Sequence, residues 1–309
     1  MLHGNRLKNG RLTRTTITLQ GYNSQMPIDL HSHTTASDGE HSPEALLSLA
    51  RAAGVTVLSV TDHDTVAALP RAAAAAEAEG LAFVPGIEIS ATAASREVHV
   101  LGHFVDPTEP GLARFSDRLR GERAERMRRM VERMGELGFL VTLDEVERIG
   151  GGAHLGRPHL ALALLNRGYV SSTKEAFDRF LADGRPGHVD RFRLSAEDAV
   201  QLLHCAGGTA TLAHPGPSQV TRPTLEALAR AGLDGLEVFH VDHVPSQREA
   251  LLRTADALGL IPTGGSDYHG PRVSPGRKPG GSTTPPEAFA RLSARAQAHA
   301  QAAGRKAPL

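Results

Sequence analysis

The 309-residue sequence has no tryptophan, one cysteine and no net charge, and each absence narrows what the chain can be. A lone Cys205 excludes a disulfide framework within one chain and fits a reducing compartment. A chain of this length buries enough surface to need no covalent staples. Thirty-four basic residues are balanced by thirty-four acidic ones, so no global field draws the protein to nucleic acid or to a membrane surface. Anionic ligands must therefore be attracted locally. No apolar run is long enough to span a bilayer, and the start lacks the apolar centre of a secretory signal, so a soluble cytoplasmic protein is expected. Residues 1–25 are polar, basic and unpatterned, and are expected to be a disordered extension.

What is present is a rhythm. From residue 28 to residue 106, and again from 193 to 290, short apolar runs alternate with alanine-rich helical stretches, the pattern of a parallel sheet with crossover helices. The segment SPEALLSLARAAG illustrates it: Ser42 caps, Pro43 takes the first helical position, Leu46, Leu49 and Ala53 share a side, and Gly54 stops the helix. Residues 107–192 lack strand alternation. They begin with a long helix carrying Met127, Met130, Val131, Met134 and Leu137 at helical spacing, and are expected to be an inserted helical subdomain. Residues 291–309 are expected to be a C-terminal tail, with one helix near residues 286–300.

The apolar runs end in histidine and carboxylate. These are His31, His33 and Asp38; Asp62, His63 and Asp64; Glu88; His99; His214; and Asp267 with His269. If the strands are parallel members of one sheet, their carboxyl ends meet at one mouth, where such folds place their chemistry. Imidazoles and carboxylates crowded out of water are costly unless a cation compensates. A tetrahedral ion takes about four ligands, so this many donors implies two or three divalent ions sharing bridging carboxylates. His31 and His33, two residues apart on an extended chain, point to the same side. Nitrogen and oxygen donors without thiolate suit manganese, iron or zinc, with magnesium less favoured.

The stretches DLHSHTTASDG, LSVTDHDT, PGIEIS, EVHVLGH, LAHPG and GGSDYHG, in this order, resemble the metal-binding motifs of the PHP (polymerase and histidinol phosphatase) superfamily. Within it the chain resembles the branch of nucleoside 3',5'-bisphosphate phosphatases and 5'-to-3' exoribonucleases, to which the inserted GRPHLA segment also points. The resemblance implies a distorted seven-stranded β/α barrel with a trinuclear centre. It places His31, His33, Glu88 and Asp267 on a first ion, Asp38, His63 and His269 on a second, and His99 and His214, with Glu88 bridging, on a third.

Clustered divalent ions lower the pKa of water and clamp phosphate oxygens, so the expected reaction is phosphoester hydrolysis by in-line attack of a metal-bridging hydroxide. Expected substrates are small phosphorylated nucleotides, above all nucleoside 3',5'-bisphosphates, and the 5' ends of short single-stranded RNA. Histidinol phosphate is the alternative, and a non-catalytic metal-binding module the third reading. No membrane and no obligatory protein partner is expected. Arg157 and His159 of GRPHLA are expected to bind substrate, the arginine through its bidentate fork. Asp62 and Asp64 are expected to orient His63, and His240 and His243 are candidates for lining the mouth. His41, His103, His154, His188 and His204 read as surface or structural histidines. Arg118, Arg126 and Arg129 read as a solvated helix face, and Cys205 as a small packed hydrophobe.

Overall fold

The computed structural model describes residues 26–150, 155–190 and 192–304. The expected extension at 1–25 and His154 lie outside the described residues. In chain order the barrel begins with strand β1 (Ile28–Asp29), helix α1 (Pro43–Ala52), β2 (Val57–Val60), α2 (Leu69–Glu79), β3 (Ala82–Ala93) and β4 (Arg96–His103). Helices α3 (Pro110–Glu136), α4 (Leu143–Gly150), α5 (Arg157–Asn166) and α6 (Thr173–Ala176) follow, the last running into a π-helical turn at Phe177–Leu181. The strand and helix rhythm resumes with β5 (Leu194–Ser195), α7 (Ala196–Cys205), β6 (Thr209–Leu212), α8 (Arg222–Arg230), β7 (Gly235–Phe239), α9 (Pro245–Leu258), β8 (Ile261–Gly264) and α10 (Pro286–Ala302). The chain divides into two compact units, one up to Phe115 and again from Arg193, the other Ser116–Phe192.

In the first unit seven strands form a continuous path, β1-β2-β3-β4-β6-β7-β8, with β5 attached to β3. The path nearly closes on itself. Leu30 N–H reaches Gly264 O at 3.4 Å, Asp267 N–H donates to His31 O at 2.9 Å, and His33 N–H to Tyr268 O at 3.0 Å. The fold is thus a distorted, nearly closed α/β barrel. One expectation about it fails: β4 runs antiparallel to both β3 and β6. Ala94 and Ser95, with φ of 48° and 62°, make the two-residue turn that reverses the chain. Two successive positive φ values are the type I′ geometry that matches strand twist. Glu88 and His99 consequently lie inside β3 and β4, where Glu88 is paired with Leu101 and His99 with Ser90, and not at strand ends.

Local chemistry explains the elements. Ser42 accepts the Ala45 N–H at 3.3 Å to cap α1, and Pro43 occupies the first turn, where no N–H is needed. The buried face of α1 is Leu46, Leu47 and Ala50, whereas Leu49 is 40% exposed. The core stripe is therefore rotated by about one residue from the expected one. All four residues of β2 are buried, as a strand covered on both faces requires. The helix expected near residues 286–300 is present as α10, whose second half, residues 291–302, falls in the expected tail. Its Phe289, Leu292 and Ala296 belong to one buried cluster with Ile28, Leu30, Val84, Phe104 and Ile261. Burying each such large side chain stabilises by about 1.5–3 kcal/mol, so the last helix is part of the barrel. Cys205 is exposed, contrary to expectation. It ends α7, two residues beyond buried Leu203 and off the stripe of Ala196, Ala199 and Val200.

The helical unit has its own core, in which Met127, Met130 and Met134 pack with Val146, Leu160, Leu164 and Leu181. Leu137, expected on this stripe, is 43% exposed. Among the described residues no helix is long and apolar enough to cross a membrane.

Candidate metal centre

The site is built around one carboxylate. Glu88 is fully buried in β3 and has five imidazoles at its two oxygens. Its Oε2 lies 3.1 Å from His31 Nε2, 3.1 Å from His33 Nε2 and 3.3 Å from His63 Nδ1. Its Oε1 lies 2.7 Å from His99 Nδ1 and 3.1 Å from His214 Nε2. Asp267 Oδ1 adds contacts of 3.3 Å to both His31 and His33 and 3.4 Å to His269 Nδ1. Toward the open side, Asp38 Oδ1 is 3.3 Å from His269 Nε2, and Asp38 Oδ2 is 3.7 Å from His63 Nε2. The structure thus gathers His31, His33, Asp38, His63, Glu88, His99, His214, Asp267 and His269 around one basin.

Three overlapping groups have donor atoms close enough together to share an ion: His31, His33, Glu88 and Asp267; His33, Asp38, His63 and His269; and His63, Glu88 and His99. Their donor chemistry, imidazole nitrogen and carboxylate oxygen, suits a divalent transition metal. Neither ring nitrogen of buried His33 has a well-formed hydrogen bond, although Nε2 stands within 3.3 Å of two carboxylates. A buried polar atom aimed at acceptors without bonding them is what a ligand position looks like before its ion is counted. The residues therefore fit a metal cluster.

The charges conflict in a way that protons resolve poorly. Burial alone would depress His31, but Glu237, Asp267 and Glu88 outweigh it and raise it well above the usual imidazole value. Burial likewise opposes the charge on His33, yet the adjacent carboxylates of Asp267 and Glu88 hold it at about 10. His99, facing Glu88, is raised to about 9 against the same opposition. His63 goes the other way: burial, with help from His33 and His99, drives it down to about 3 despite Glu88 and Asp38. Glu88 cannot by itself neutralise the five rings around it, so some hold protons and others are denied them. Divalent ions held by these residues would replace those protons and relieve the conflict, coupling metal binding to proton release.

Backbone strain coincides with the ligands. His214 has φ of 25° and Asp267 has φ of 47°, both in the left-handed region that non-glycine residues seldom occupy. Gly265 is required beside them, because a Cβ there would stand 2.4 Å from His31 Cβ and 2.5 Å from His31 N.

Several surrounding residues have roles that differ from those expected. Asp62 accepts from Thr34 N–H at 2.8 Å, Thr34 Oγ1 at 2.7 Å and Ser37 Oγ at 2.6 Å. It therefore anchors the loop that carries His33 and Asp38 instead of turning the His63 ring. Asp64 accepts the Ser90 N–H at 2.7 Å. His243 is structural, with Nδ1 donating to Val238 O at 2.9 Å and Nε2 accepting the Gly216 N–H at 3.1 Å. His240 is buried against Asp267 Oδ2 at 3.3 Å. Glu237 and Arg277 were not anticipated. Glu237 lies in β7 against His31, and Arg277 grips both Asp267 and, at 2.6 Å, Asp242. The available signal for Glu237 was one acidic residue inside the apolar run GLEVF.

In the helical unit, Arg157 opens α5 and donates to Asp183 Oδ1 at 2.6 Å, while His159 Nδ1 accepts the Gly156 N–H at 3.1 Å. Arg126, expected in a solvated face, donates to Val189 O at 2.6 Å. His41 meets Tyr268 Oη at 3.1 Å, and His103 Nε2 donates to Leu30 O at 2.9 Å. A separate group lies at the amino end of β7, where His204 and His299 meet Asp234 at 2.9 and 3.0 Å. Their rings stack at 3.8 Å with planes 20° apart, and the three donor atoms also lie close enough together to share an ion. Arg295 also reaches Asp234, at 3.2 Å, and this group is a clamp tying α7 and α10 to the barrel.

A barrel with a histidine and carboxylate basin at one mouth is the architecture of a metal-dependent hydrolase. The chain belongs to the PHP domain family, whose model matches residues 29–203. It is 35% identical to the 3',5'-nucleoside bisphosphate phosphatase of Chromobacterium violaceum, over 79% of this chain and 87% of the relative. It is equally 35% identical to the 5'-3' exoribonuclease Rnm of Escherichia coli, over 79% and 85%. A crystal structure of a candidate metal-dependent phosphoesterase from Bifidobacterium adolescentis superposes with a TM-score of 0.77 at 32% identity, covering 88% of this chain and 96% of that one.

Proposed function

We propose that this chain is a cytoplasmic metal-dependent phosphoesterase that removes phosphate from nucleotides, with nucleoside 3',5'-bisphosphates as its preferred substrates and the 5' ends of short RNA as a second class. The observation that carries this reading is the convergence of imidazoles and carboxylates on Glu88. The names of the two sequence relatives support the substrate class.

His31, His33, Glu88 and Asp267 would hold one ion, Asp38, His63 and His269 a second, and His99 and His214, with Glu88 shared, a third; manganese suits this mixed donor set. Bound divalent ions acidify water and neutralise phosphate oxygens, which is the chemistry a slow phosphoester hydrolysis needs. The chain's own part begins with preorganisation. Buried Glu88, His31 and His33 fix the inner wall, while Asp38, whose side chain is 51% exposed, and His269 form the side open to substrate. We assign Arg157 and His159 to substrate binding, with Arg157 exchanging its Asp183 partner for a phosphate.

The test is phosphate release with manganese across a nucleoside 3',5'-bisphosphate, a nucleoside 5'-monophosphate, 5'-phosphorylated short RNA and histidinol phosphate. The proposal expects the bisphosphate to have the highest kcat/KM. A preference for histidinol phosphate would move the chain to another branch, and no turnover of any ester would end the enzymatic reading.

A further inference from the structure

Strand β7 contributes none of the nine gathered donors, yet two of its neighbouring side chains touch them. Glu237 and His240 are 0% and 1% exposed. Buried polar groups of this kind normally exist to satisfy or to orient something. We propose that Glu237 and His240 are positioning residues of the metal centre, fixing which nitrogen of His31 and which oxygen of Asp267 face the ions. This inference rests on the metal-centre reading above.

The hydrogen-bond directions carry the argument. Glu237 Oε1 stands 3.0 Å from His31 Nδ1, and Glu237 Oε2 accepts the His214 main-chain N–H at 2.8 Å. An ionised carboxylate only accepts, so Nδ1 keeps its hydrogen and Nε2 is the nitrogen turned to Glu88 and Asp267. The same carboxylate holds His214 at its strained backbone, so one side chain of β7 fixes two donors from different strands. His240 works from the other side. Its Nδ1 accepts the Asp242 N–H at 3.2 Å, which leaves the hydrogen on Nε2, and that hydrogen points to Asp267 Oδ2 at 3.3 Å. Arg277 also occupies Oδ2 and the main-chain oxygen of Asp267. Only Oδ1 of Asp267 then faces His31, His33 and His269. Orienting partners of this kind typically change metal affinity by about 10- to 100-fold.

Glu237→Gln is the informative change. An amide supplies one acceptor and one donor where two acceptors are needed, so either His31 or His214 loses its bond whichever way the amide turns. Mn2+ binding to metal-free full-length protein would be titrated for the wild type, Glu237→Gln and His240→Gln, each also placed in a His31→Ala or Asp267→Ala background. Circular dichroism would confirm folding. The expected result is Mn2+ affinity about 10- to 100-fold weaker in each single variant. The Glu237→Gln penalty should vanish once His31 is alanine, and the His240→Gln penalty once Asp267 is alanine. Wild-type affinity in both single variants, or penalties that persist undiminished in the alanine backgrounds, would overturn the positioning role while leaving the metal centre standing. If Glu237→Gln fails to fold, His240→Gln decides alone. A wild-type protein that takes up no Mn2+ overturns both readings together.

Discussion

Replacing Glu88 by glutamine is the most demanding perturbation this centre offers. The side chain keeps its size but loses its charge, and one of its two oxygens becomes an amide that cannot accept. His31, His33 and His63 face one oxygen and His99 and His214 the other, so no orientation of the amide serves both groups. Two unit charges about 4 Å apart interact by about 4 kcal/mol at an effective dielectric constant of 20, and a dication doubles this to about 8. An imidazolium 3.1 Å from the same carboxylate, whose proton the metal would displace, takes back on the order of 5 kcal/mol by the same relation, leaving about 3. That corresponds to a roughly hundredfold weaker hold on metal. The assay is bound manganese per chain after dialysis, measured by atomic emission, beside phosphate release at saturating substrate. Glu88→Gln is expected to retain a fraction of the wild-type metal and to lose turnover. Metal content and activity within about threefold of wild type, equivalent to less than 0.7 kcal/mol, would refute the central place given to this carboxylate.

Other expectations concern the scaffold and the substrate. Asp234→Asn breaks the clamp of His204, His299, Arg295 and the Ala210 N–H, and should cost about 3 kcal/mol in urea unfolding. Burial opposes the Asp234 charge, but His204 and His299 hold its pKa well below the carboxylate range. Its stabilisation is therefore present above the unfolded carboxyl pKa of about 4 and lost as pH falls below it. The urea midpoint of wild type should fall more steeply with acid than that of Asp234→Asn, and parallel curves would contradict the clamp. Gly265→Ala forces a Cβ into the His31 backbone and should destabilise by about 1–3 kcal/mol while lowering manganese content; a variant normal in both would show that the loop yields freely. Arg157→Ala should raise KM for a 3',5'-bisphosphate more than for a monophosphate, and equal changes would remove its second-phosphate role.

Much of the basin is legible in the one-dimensional string because its donors terminate or interrupt apolar runs. A histidine pair two apart, as at His31 and His33, and again Asp267 with His269, survives any reasonable placement of the strands. What escapes is whatever depends on strand direction or on partners distant in sequence. The reversal at Ala94 and Ser95 carries neither Asn nor Gly, the usual mark of two positive φ values, so β4 reads as one more parallel strand. Glu237 reads as an ordinary strand residue until the barrel brings it to His31, 206 positions away. Cys205 and Leu49 lie off the buried faces; an apolar stripe on a short helix fixes its rotation only to within about one residue. The last helix is legible from its Phe289, Leu292 and Ala296 spacing, but only the surface of β1 and β8 says what it covers.

The claim on which the account stands is that these side chains hold metal together. Crystals grown in manganese and measured at the manganese absorption edge test it directly. Anomalous peaks are predicted among His31, His33, Glu88 and Asp267, among Asp38, His63 and His269, and beside His99 and His214. A well-measured map with manganese bound elsewhere, or with no peak in this basin, would contradict the account.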